Sequence, residues 1–153
     1  MKEQYIHIDE FGDKRFYSDK KMTRFHREDG PAIENVDRYK AWYLNGKLHR
    51  IDGPAVEYIG GNREWFLNGK RHREDGPALE YADGYKAWYL NGKRHREDGP
   101  AVEHADGSKK WFLSGKPISE QEHARRTSSK VVLTLDEIAD KLGICVDKLT
   151  IKK

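Results

Sequence analysis

The run His95-Arg96-Glu97-Asp98-Gly99-Pro100-Ala101-Val102-Glu103-His104-Ala105-Asp106-Gly107-Ser108-Lys109-Lys110-Trp111-Phe112-Leu113-Ser114-Gly115-Lys116 is one turn of a pattern that fills most of the chain. Asp98-Gly99-Pro100 leads into a short strand, with proline where its missing N–H is tolerated. Asp106-Gly107 suits a two-residue hairpin turn, glycine supplying the positive φ. The aromatic stretch through Trp111 and Phe112 reads as the returning strand, and Ser114-Gly115 turns the chain again. Each such unit reads as a β-hairpin plus a second turn, with no helix in it.

Working outward, the same marks recur every 23 residues without insertion. Asp-Gly-Pro begins at Asp29, Asp52, Asp75 and Asp98; tryptophan stands at 42, 65, 88 and 111; histidine stands at 26, 49, 72 and 95. The units lie near 26–48, 49–71, 72–94 and 95–117. A degenerate half-unit at 5–21 precedes them, with Phe16 in the tryptophan position. Recurrence at a fixed short period means a repeat array in which each unit borrows its core from its neighbours. The expected fold is mainly β: an elongated single-layer antiparallel sheet of stacked hairpins over 1–117, followed by a small α/β segment at 118–153.

Strand alternation sorts the returning strands into two faces. Trp42, Trp65, Trp88 and Trp111 share one face with Leu44, Leu67, Leu90 and Leu113. Tyr43, Phe66, Tyr89 and Phe112 point the other way. The Trp/Leu ladder reads as core. The Tyr/Phe ladder reads as the exposed binding face, tyrosine being at home half-buried and favoured at interfaces.

This pattern resolves a conflict in composition. Of 153 residues only 36% are apolar and 36% are charged, with a mean hydropathy of −0.99, values that point toward disorder. Yet 4 Trp, 8 Tyr and 5 Phe are more aromatics than a disordered chain carries. No apolar run approaches membrane-spanning length, and the N-terminus has no signal-type apolar stretch. A single cysteine, Cys145, excludes an internal disulfide framework, and a reducing cytoplasm is the expected compartment. Lys+Arg 29 against Asp+Glu 26 gives a mixed surface of net +3, not a nucleic-acid footprint.

The Asp-Gly before an aromatic strand, the tryptophan, and the Gly-Lys-x-His run (Gly92-Lys93-Arg94-His95) together resemble the MORN repeat, especially its bacterial and phage variant. The resemblance covers about residues 5–117; the usual Tyr-x-Gly-x-Trp run is missing, and His-Arg-x-Asp-Gly-Pro-Ala replaces a shorter segment. It implies a twisted sheet of hairpins that binds partners, as scaffold, adaptor or antitoxin-type inhibitor, some relatives being credited with phospholipid contacts.

After Lys116 the pattern changes. Ser119-Glu120-Gln121-Glu122 is a capping box, and Arg125 and Arg126 suit a helix C-terminus, so a short helix is expected at about 119–126. It would cover the last edge strand. Beyond a polar linker, 130–153 reads as strand, helix, strand, the helix carrying Leu135, Ile138, Ala139 and Leu142 on one face. A helix-turn-helix is the weaker reading there, for want of a third helix and a basic recognition helix.

The His-Arg pairs admit two readings. Arg27, Arg50, Arg73 and Arg96 are either anion hooks along one edge or a charged edge paired to carboxylates of the array. Histidines on rungs about 10 Å apart cannot share a metal whose ligands lie about 2.0–2.1 Å away. No Walker loop, nucleophile elbow or paired carboxylates appear, so no catalytic residue, metal or cofactor is assigned and the chain is read as non-enzymatic. The expected function is a protein-interaction module, a phage or bacterial inhibitor or sequestering factor, with Tyr43, Phe66, Tyr89, Phe112 and the four arginines as binding residues. The alternative is a binder of nucleic acid, nucleotide or acidic lipid, through an aromatic groove rimmed by Lys40, Arg63, Lys86 and Lys109. A second copy of the chain, through the sheet edge or C-terminal segment, is a further candidate partner.

Overall fold

Two kinds of turn, set by local chemistry, shape the third and fourth units, and the first kind recurs in all four. At Asn45-Gly46, Asn68-Gly69, Asn91-Gly92 and Ser114-Gly115 both residues have positive φ, near 51° and 80°. That is the type I′ turn, whose twist matches a tight two-residue hairpin. The Asp-Gly turns are one residue longer than their sequence suggests. Tyr81 and Tyr85 close a three-residue loop, Ala82-Asp83-Gly84, with only Gly84 at positive φ and Gly84 N–H bonded to the Tyr81 carbonyl. The Asp83 carboxylate accepts the Tyr85 N–H, which fixes the turn from inside.

The computed structural model describes residues 4–128. The readings made for 130–153, Cys145 among them, lie outside the described residues. Eleven strands form one antiparallel sheet in chain order. It starts with the half-unit pair Tyr5–Ile8 and Lys14–Tyr17. Each unit then adds an entry strand (Ile33–Glu34, Val56–Tyr58, Leu79–Glu80, Val102–Glu103) and a return strand (Tyr39–Ala41, Arg63–Glu64, Lys86–Ala87, Lys109–Leu113). Two strands per unit at about 4.8 Å make a rise near 10 Å per repeat.

At Trp42, Trp65 and Trp88 the chain leaves this sheet. In the first three units it enters a separate two-stranded hairpin: Tyr43–Leu44 with Lys47–Leu48, Phe66–Leu67 with Lys70–Arg71, and Tyr89–Leu90 with Lys93–Arg94. These side hairpins are stitched to one another by single bonds, Gly69 N–H to the Leu48 carbonyl and Gly92 N–H to that of Arg71 (2.8 Å each). In the fourth unit the return strand runs straight on and pairs with Lys116–Ile118. A second strip of hairpins therefore accompanies the long sheet.

The buried residues lie between the two strips. Ile33, Ala41 and Val56 form one cluster, with Tyr43, Leu48 and Phe66 against it; Leu79, Ala87 and Val102 form another, with Tyr81, Tyr85, Tyr89 and Phe112. The helix Glu120–Ser128 follows the last strand, its first turn capped by the Ser119 hydroxyl, which accepts the Glu122 N–H. It packs on the strand Lys109–Leu113. Among the described residues no helix is long and apolar enough to cross a membrane.

Candidate functional site: a row of tryptophan-floored recesses

The two faces of the return strands are the reverse of what residue size suggests. Tyr43, Phe66, Tyr89 and Phe112 pack on the buried clusters. Trp42, Trp65 and Trp88 instead face open recesses with Leu44, Leu67 and Leu90. The reason is what shares each face. Tyr89 lies with Ala87, opposite Leu79 and Val102, which are small or purely apolar. Trp88 lies with Lys86, which is paired across the strands to Glu80 and Glu103. On that side of the long sheet Lys14, Glu34, Lys40, Glu57, Arg63, Glu80, Lys86, Glu103 and Lys109 alternate in sign from strand to strand. Such a ladder belongs in water. It also removes the basic rim expected at Lys40, Arg63, Lys86 and Lys109, because a glutamate stands between each neighbouring pair.

The four repeated arginines are built into the walls. In the third unit the Arg73 guanidinium carbon lies 4.0 Å from the Trp65 ring centroid. Its Nε donates to Asp75 (2.9 Å), and Nη1 donates to the Pro77 carbonyl and to Glu80 (3.0 Å). Its other face lies on Gly76, where a Cβ would stand 2.8 Å from the guanidinium carbon. Arg50 on Trp42 and Arg96 on Trp88 repeat this at 4.0 Å, and Arg27 does so on Phe16 at 4.1 Å. Their charges are met by Asp29 and Glu34, Asp52 and Glu57, and Asp98 and Glu103. The anion-hook reading of Arg27, Arg50, Arg73 and Arg96 gives way to the paired one: both guanidinium faces are covered and two carboxylates hold each cation.

The histidines next to them brace the closing turn of their own unit. Nδ1 of His26, His49, His72 and His95 accepts the backbone N–H of Asn45, Asn68, Asn91 and Ser114. Nε2 of His26, His72 and His95 faces Glu28, Glu74 and Glu97 at 3.5–3.8 Å. In the second unit Ile51 takes the glutamate's place and is 86% exposed. Among the described residues no group of three or more His, Cys, Asp or Glu could hold a metal ion.

Between consecutive His-Arg-x-Asp segments the recesses open. Their volumes are about 800 Å³ over Trp42, 900 Å³ over Trp65 and 520 Å³ over Trp88. Ile51 lies between the two largest and lines both. Asp29, Asp52, Asp75 and Asp98 stand at the rims with side chains 79–83% exposed, whereas their arginine partners are only 20–22% exposed. The hydrogen bond from each arginine holds these carboxyls below their ordinary range. What each recess offers the solvent is an aromatic and aliphatic floor under a row of ionised carboxylates. Sequence reasoning placed Leu44 and Leu67 in the core with the tryptophans, gave the rim aspartates only a turn role and assigned nothing to Ile51; the lysine and glutamate sharing the tryptophan face were the available signal.

The inner face has one departure of its own. Glu64 stands where other units have Ala41 and Ala87; it is buried and paired with Arg71 (3.2 Å). Burial first, and then the Glu64 charge, raise the phenol pKa of Tyr58 and Tyr81.

A scan against protein-family models and searches of curated proteins and of solved structures return no match.

Proposed function

We propose that this protein is a non-enzymatic interaction module that holds a protein partner along the row of tryptophan-floored recesses, sequestering or inhibiting it. The observation that supports this best is repetition: three adjacent recesses of one make, over Trp42, Trp65 and Trp88, on the side that the core does not use. A large aromatic floor with a polar rim is the anatomy of a binding hot spot. The resemblance to MORN-type arrays points the same way, toward a bacterial or phage factor of inhibitor or antitoxin type acting in the cytoplasm.

The test is capture from lysate of the native host by wild type and by a Leu44→Ser/Leu67→Ser variant, with circular dichroism confirming that the variant folds. A protein retained by wild type and lost with the variant supports the reading. Equal retention by both, or retention of nothing, overturns it. Tyr43→Ala/Tyr89→Ala serves as the contrast, since those rings pack on the core and their loss lowers stability before it touches the recess floors.

A further inference from the structure

The fourth recess shows what kind of surface fits this face. Over Trp111 there is no fifth unit: Ile118-Ser119 stands where a His-Arg pair would follow, and the chain becomes the helix Glu120–Ser128. That helix lines the recess with Glu120, His123, Ala124 and Thr127. Their spacing, i, i+3, i+4 and i+7, is one helix face. His123 is buried, its Nε2 lying 2.7 Å from the Arg96 carbonyl, and the remaining space falls to about 300 Å³. A helix face can therefore close against a tryptophan floor of this array, because one already does.

Two further features define a partner for the three recesses that stay open. The first is charge. Asp29, Asp52, Asp75 and Asp98, with Glu28 and Glu74, stand outward at 73–83% side-chain exposure, while the arginines lie flat beneath them. An approaching chain meets carboxylates first, and a basic one is favoured. The second is spacing. Recesses about 10 Å apart match about seven residues of an α-helix at 1.5 Å each, so anchors two turns apart fall into successive recesses. Resting on the interaction reading above, we propose that the partner segment is a basic amphipathic helix. It lies along the array with large apolar residues at heptad spacing over Trp42, Trp65 and Trp88 and with Lys or Arg beside the rim carboxylates.

The probe is a synthetic helical peptide of about 20 residues, leucine at every seventh position and lysine flanking, titrated into the full chain. All four tryptophans belong to this ladder, so their emission reports binding directly. Saturable binding in the micromolar range is expected. It should weaken at least tenfold for a scrambled peptide of the same composition and for one with glutamate in place of lysine. Glu28→Gln/Glu74→Gln, both exposed and outside the Arg–Asp pairs, should weaken it several-fold with the fold intact. Equal binding of the scrambled peptide overturns the helix; equal binding of the acidic peptide overturns the charge. Absence of peptide binding, with tryptophan emission shifting on protein concentration alone, assigns the face to a second copy and also overturns the proposal. A host protein captured through Leu44 and Leu67 while the peptide fails leaves the interaction reading standing and removes only the helix.

Discussion

The guanidinium of Arg73 lies flat on the ring of Trp65, 4.0 Å from its centroid, and so fastens the third unit to the second. Stacking and the hydrogen bonds to Asp75 and Glu80 are both functions of a planar fork. Lysine reproduces the charge but neither the plane nor the fork. Arg73→Ala and Arg73→Lys should therefore each lower stability, the first by about 2–3 kcal/mol and the second by more than half of that. Urea unfolding followed by circular dichroism measures both; a lysine variant as stable as wild type would mean that charge alone does the joining.

Gly76 completes the same clamp from the other side. Its Cβ position falls 2.8 Å from the Arg73 guanidinium carbon, whereas at Gly60 nothing lies within 4 Å. Gly76→Ala must push the guanidinium off the ring or off its carboxylates, costing about 1–3 kcal/mol, while Gly60→Ala should stay within about 0.5 kcal/mol of wild type. Because the cost of Gly76→Ala runs through Arg73, the double variant with Arg73→Ala should be no less stable than Arg73→Ala alone. Additive losses would show that the glycine serves the backbone instead.

The clamps also contribute to the pH dependence of stability. The carboxyls of Asp29, Asp52, Asp75 and Asp98 are held below their ordinary range, chiefly by hydrogen bonds from their arginines. A carboxyl depressed in the folded state contributes stability that is complete above its unfolded pKa, near about 3.9, and lost as pH falls through the folded value. The urea midpoint should fall as the pH drops below about 4, modestly for each clamp because these carboxylates face water. Asp75→Asn/Asp98→Asn should be less stable at pH 5 and lose less on acidification; an unchanged acid slope would place the responsible carboxyls elsewhere.

The period, the two faces and the terminal helix were legible in the sequence because each rests on local chemistry: the 23-residue interval, strand alternation, and the Ser119 cap. Which face is buried was not, because ring size favoured Trp88 over Tyr89 as core. The deciding information lies one rung away and across the strands. Lys86 beside Trp88 meets Glu80 and Glu103, and Ala87 beside Tyr89 meets Leu79 and Val102. That requires the register between units. The repeated Asp-Gly-Pro likewise announced a turn, but its glycine is also the back of an arginine clamp, a role visible only once Arg73 is placed on Trp65.

Glu64 and Arg71 form a charged pair on the core face where the first unit has Ala41 and Leu48. Removing one partner leaves the other charge half-buried, so Glu64→Ala alone should cost about 1–3 kcal/mol, less than in a closed interior because Arg71 keeps contact with water. Replacing both, as Glu64→Ala/Arg71→Leu, installs the first unit's own solution and should come within about 1 kcal/mol of wild type or exceed it. A double variant less stable than Glu64→Ala would mean that the pair, not the packing, holds this unit.

Arg71 carries a second irregularity. Its Nε is buried without a hydrogen-bond partner, whereas Nε of Arg94, one unit on, donates to the Tyr89 hydroxyl at 3.1 Å. The residue corresponding to Tyr89 is Phe66, which lies under Arg71 with 5.4 Å between ring centroid and guanidinium carbon. The missing acceptor is thus one hydroxyl on one ring. Phe66→Tyr should supply it and stabilise the protein by about 0.5–1.5 kcal/mol, the usual net worth of a hydrogen bond that satisfies a buried donor. Phe112→Tyr is the control: five residues on from Phe112 stands Pro117, so no unsatisfied arginine waits there, and its urea midpoint should not rise. A gain at both positions would credit the tyrosine ring itself, and a gain at neither would mean that the added hydroxyl does not reach the Arg71 donor.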